Sequence, residues 1–146
     1  MSFNALRTAI TSKLEGISDI QQVLNYPAVP SEFPAATVTP SEADSDYETT
    51  AENKRVYGFV IRLFYPSKKG SGGLSTAVDA LESLVDKVVD EFDKDPQLIG
   101  ENLSMPSKYT MIQLIPTPST WDYSFVDDGY IIAEIKLSAQ VSFDTT

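Results

Sequence analysis

This chain of 146 residues contains no cysteine and no histidine. The first absence excludes disulfides, thiol nucleophiles, iron–sulfur clusters and thiolate zinc sites. The second removes the commonest general base and metal ligand, and with it Ser-His-Asp, Cys-His and His-containing zinc sites. Basic residues are scarce as well: 11 Lys and Arg stand against 21 Asp and Glu, a formal charge of −10. Such a surface favours solubility and disfavours nonspecific contact with phosphate backbones. The N-terminal stretch MSFNALRTAITSKLEG carries polar and charged residues throughout. It reads as neither a signal peptide nor a membrane span. The expectation is a single domain with a real core, made or assembled in the cytosol, in which the lack of both Cys and His weighs against catalysis.

The strongest pattern present is Leu74 to Lys94, LSTAVDALESLVDKVVDEFDK. Leu74, Val78, Leu81, Val85, Val88 and Phe92 recur every three or four positions and share one helical face. Pro96 stops the run. An amphipathic helix needs an apolar surface to receive it, and the flanking runs Val56–Tyr65 and Tyr130–Phe143 supply one. The same helix lines up Asp79, Glu82, Asp86, Asp90 and Asp93 along an edge. A solvated face is the plain reading. A subunit contact, a channel-facing surface and a cation site on Asp86 and Asp90 are the sharper ones.

Earlier in the chain, Phe3, Leu6, Ile10 and Leu14 predict a first helix, with Ser2 as N-cap and Gly16 as C-terminal cap. Ile20–Tyr26 reads as a short strand ending at Pro27, and Ala35–Thr39 as another between prolines. SEADSDYETTAEN then has little to bury, which predicts an exposed loop or a long hairpin arm over about residues 41–54. Val56–Tyr65 alternates on two largely apolar faces and reads as a central strand covered on both sides. Ser67–Gly73 is a basic, glycine-rich connection. Its lysines precede its glycines, the wrong order for a phosphate-binding loop.

After Pro96, Leu98, Ile99 and Leu103 are expected to tuck under the sheet. Tyr109–Ile115 is a strand closed by PTPS, and WDYSFV is a further alternating run in which Trp121 is taken as packing. Asp127-Asp128-Gly129 is read as a tight hairpin turn. The last strand, Tyr130–Phe143, alternates cleanly. Ile131, Ala133, Ile135, Leu137, Ala139, Val141 and Phe143 face one way, and Glu134, Lys136, Ser138, Gln140 and Ser142 the other. Together these elements give an α+β domain, a mixed or mostly antiparallel sheet packed by two helices.

That order of elements resembles the phage tail terminator (tail-completion or minor tail) proteins. The likeness concentrates in Phe33–Tyr65, FPAATVTPSEADSDYETTAENKRVYGFVIRLFY, and in Trp121–Val141, WDYSFVDDGYIIAEIKLSAQV. The resemblance implies a virion structural protein of the tail or neck, assembled in the host cytoplasm, with no substrate and no cofactor. It implies a homo-hexameric ring that caps the tail tube, ends its polymerisation and meets the head–tail connector or head-closure protein. Genome DNA would pass through the ring without specific binding. Candidate contacts to neighbouring subunits or partners are Asp44, Asp46, Tyr47 and Glu48 on the acidic segment, Lys54 and Arg55 at its end, and Lys68 and Lys69 on the basic loop. The competing readings are another neck or tail-tube component, a small acidic adaptor, and a metal enzyme built on Asp86 and Asp90.

Overall fold

Two long strands with apolar residues at every second position make the centre of the molecule. The computed structural model describes residues 2–47, 52–67, 71–98 and 108–144. Within it, β3 (Glu52–Pro66) and β5 (Tyr130–Asp144) run antiparallel without a register shift from Glu52↔Asp144 to Pro66↔Tyr130. β1 (Gln22–Leu24), β2 (Ala35–Tyr47) and β4 (Tyr109–Asp122) complete a sheet in the order β1-β2-β3-β5-β4. β1 joins β2 in parallel and the other pairings are antiparallel, so the sheet is mixed. With helices α1 (Ser2–Glu15) and α2 (Ser71–Asp93), this is the expected α+β fold in a single domain.

Both helices lie on one face of the sheet. Leu6, Ile10 and Leu14 of α1 and Leu81, Val85, Val88 and Phe92 of α2 share a core with Phe59, Ile61, Leu63, Ile131, Ile135 and Leu137. Each of those strand residues is 1% exposed or less, so each contributes roughly 1.5–3 kcal/mol of apolar burial. Phe3, on the first turn of α1, meets Tyr57 edge-on with ring centroids 4.7 Å apart. Leu98 is also fully buried, at a left-handed φ of 53° that a leucine rarely adopts. Ile99 and Leu103 lie outside the described residues. An ion pair of 3.3 Å between Lys13 and Asp95 ties the last turn of α1 to the turn after α2.

Gly16 follows the last residue of α1, the place expected of its C-terminal cap, and its N–H donates to the Ser12 and Lys13 carbonyls, each at 3.2 Å. Several other local expectations change. β1 is shorter than Ile20–Tyr26. α2 begins three residues before Leu74 and takes in Gly72 and Gly73. The acidic segment takes its hairpin-arm form, since β2 continues to Tyr47 and β3 resumes at Glu52. β4 runs on through PTPS to Asp122, which proline permits because β4 is the sheet's edge strand. WDYSFV is therefore not a strand of its own. After Asp122 the chain turns and forms a 3-10 turn at Val126–Asp128, closed by Gly129 at φ 95°. Gly129 adopts the positive φ expected of it, in a longer connection than a tight hairpin.

Among the described residues no helix covers the second face of β3. Phe64 packs there with Ala35, Tyr130 and Ile132 under Phe33 and Phe125. Tyr130 is stacked between the last two, with centroids 5.5 and 5.3 Å away. Beyond that end Val56 and Val60 stay half-buried.

Candidate interaction surface

A single extra residue decides which face of the sheet each position of the arm falls on. β2 pairs with β3 as Val38↔Ile61 and Pro40↔Phe59, then slips by one residue to Ala43↔Tyr57. A bulge of one residue exchanges the faces of everything beyond it. Positions 44 and 46 therefore fall on the face away from the helices, opposite Val56 and Lys54. Position 47 lies across from Asn53 and position 45 across from Arg55, on the helix-bearing side. The register thus brings Asp46 opposite Lys54 and separates Lys54 from Arg55, which sequence adjacency had grouped. Glu48, Lys68 and Lys69 lie outside the described residues.

Arg55 sits in an aromatic cradle at the base of the arm. Its Nη1 donates to the Tyr109 hydroxyl at 2.9 Å and to the Tyr57 hydroxyl at 3.4 Å. Its guanidinium carbon lies 4.8 Å from the Phe143 ring centroid and 5.4 Å from that of Tyr109. Tyr109 and Phe143 are register partners on β4 and β5, with rings 4.7 Å apart. Three strands thus fix one half-buried cation. The hydrogen bond to Tyr57, with a further one to Tyr109, holds its pKa above the ordinary arginine value against the opposing effect of burial. Among the described residues no carboxylate pairs with it. Arg55 was singled out by sequence, but its cradle was not, because Tyr109 and Phe143 are distant in the chain and carry no local signal.

The uncovered sheet face is polar and orderly. Arg62 on β3 and Glu134 on β5 form an ion pair of 2.6 Å across register partners. Gln113 on β4 donates to Gln140 on β5 at 3.1 Å. Lys136 is exposed, and Ser138 and Ser142 are half-buried along the same side of β5. Along the β4 edge and its exit, Ile112, Ile115, Trp121 and Tyr123 are 37–42% exposed. Trp121 is thus less enclosed than a packing role implies.

On the helix side, Asp79, Glu82, Asp86, Asp90 and Asp93 are all exposed, and none forms an ion pair among the described residues. Lys87, on the same helix, reaches instead to Asp19 at 2.9 Å. That pair borders an open groove of about 520 Å³ lined also by Ser18, Gln21, Tyr65 and Ser83. No group of three or more acidic side chains converges in a way that would hold a metal ion, among the described residues. The surface offers charge and hydrogen-bonding groups to a partner.

No protein-family model and no curated protein matches this chain. A solved chain described as the virion of a native gene transfer agent particle does match, over 97% of this chain and 97% of that chain. The TM-score is 0.64 at 15% identity, a likeness of fold.

Proposed function

We propose that this protein is a structural, non-enzymatic subunit of a phage-like virion, and within it a tail terminator. In this reading copies of the chain close a homo-hexameric ring on the tip of the tail tube. The ring ends tube polymerisation and offers its outer surface to the head–tail connector or head-closure protein. The observation that carries the coarser part is the fold match to a gene transfer agent virion chain over nearly the whole length of both. The finer part draws support from a sheet face that no helix covers among the described residues, and from a bulge that turns register positions 44 and 46 of β2 onto that face. It is a surface that a ring would cover between subunits.

In the assembled ring, genome DNA passes through the lumen, and a net charge of −10 lets phosphates slide past without adhesion. A lumen lined by Lys54, Arg55, Lys68 and Lys69 would contradict this part of the proposal. The test is native mass spectrometry or light scattering of the purified protein with negative-stain images, followed by addition of purified tail tubes. A closed ring of six copies, or capping of the tubes, supports the reading. Open-ended tubes indicate a tail-tube subunit instead. Failure to cap tubes and to form rings overturns it.

A further inference from the structure

The geometry points to Arg55 as a preformed receptor for a carboxylate supplied by the α2 helix of a neighbouring copy. This deepens the ring proposal and rests on it. An arginine carries five N–H donors in a rigid fork. Here Nη1 is directed at two tyrosine hydroxyls while the ring of Phe143 lies beside the guanidinium. The donors on Nε and Nη2 meet no acceptor among the described residues, and that edge has the spacing for a bidentate carboxylate. The cradle removes most of the rotational freedom that a surface arginine would lose on forming such a contact. In a chain with nearly twice as many acids as bases, a fixed cation that meets no carboxylate among the described residues is conspicuous.

The complementary charge is on the same molecule but elsewhere. Asp79, Glu82, Asp86, Asp90 and Asp93 present exposed carboxylates with no ion pair of their own among the described residues. A closed ring needs two different patches per subunit, each fitted to the other. The Arg55 cradle and the α2 edge are such a pair: a single oriented cation meeting a row of anions.

The test follows ring assembly of the full-length protein, alone or on tail tubes, for the wild type and for Arg55→Glu. Circular dichroism checks that each variant is folded. Loss of one charge-assisted contact per interface predicts a concentration for half-assembly raised by about tenfold or more. Reversal of one α2 acid to lysine in the Arg55→Glu background, tried at each of the five positions, is expected to restore assembly at one of them. A purely structural role for Arg55 gives no such rescue. Should Arg55→Glu fail to fold, Arg55→Lys keeps the charge and loses the fork, and is expected to weaken assembly with a steeper dependence on salt. Unchanged assembly in the folded Arg55 variant, or no rescue at any α2 position, overturns the inference while leaving the ring intact. A wild type that neither forms rings nor caps tubes removes the ring reading itself, and this inference with it.

Discussion

Individual side chains in this protein divide between those that hold the core and those that set local charge. Phe59 is fully buried between the sheet and Phe3, whose ring lies 5.7 Å away. Phe59→Ala is expected to destabilise the fold by roughly 3–5 kcal/mol, read as a lower urea midpoint with an unchanged slope. Arg62 and Glu134 are more exposed, so Glu134→Gln should cost under about 1 kcal/mol despite the short contact. Asp122 accepts hydrogen bonds from the Ser124 hydroxyl at 2.6 Å and its N–H at 2.9 Å, and these hold its carboxyl below the ordinary 3.8. Its contribution to stability is therefore complete above 3.8 and lost as pH falls through the lower folded value. Ser124→Ala removes the larger cause, and an NMR titration should show the Asp122 pKa moving back up. Tyr130 behaves oppositely. Burial above all, with Asp128 and Asp122 nearby, raises it above 10.0, so its contribution persists below 10.0 and fades as pH rises through the folded value.

The elements show what a sequence can and cannot reveal. β5 was legible because one of its faces is dry and the other wet, which writes a period of two into the residues. Both helices were legible for the same reason at their own period. The hairpin arm was legible only as one of two readings, an exposed loop or a long hairpin, because SEADSDYETTAEN has little apolar content and so no alternation to choose between them. The bulge between Pro40 and Ala43 leaves no mark in the sequence either, yet it decides which face positions 44 and 46 occupy. WDYSFV misled because its alternating aromatics straddle a turn: Trp121 belongs to β4, and Phe125 folds back onto Tyr130. At this scale Pro116 and Pro118 matter on the free edge of β4, where they remove donors that a foreign strand would use. Replacing both with valine should increase disordered, open-ended association seen by light scattering.

Over the whole molecule the dominant quantity is the excess of negative charge, concentrated in part along the outer edge of α2. Self-repulsion of this kind weakens the compact state. Raising ionic strength from about 0.01 M to about 0.1 M shortens the screening length from about 30 to about 10 Å, and Tm should rise accordingly. The two halves of the central ladder also come from distant parts of the chain. β3 ends at Pro66 and β5 begins only at Tyr130. The β2–β3 hairpin can close locally, while the β3–β5 ladder must wait for a long loop to be brought together. During synthesis the apolar edge of β3 therefore stays open until β5 leaves the ribosome. In that interval VYGFVIRLFY is the segment most exposed to mispairing between nascent chains, and the one a chaperone would gain most by covering.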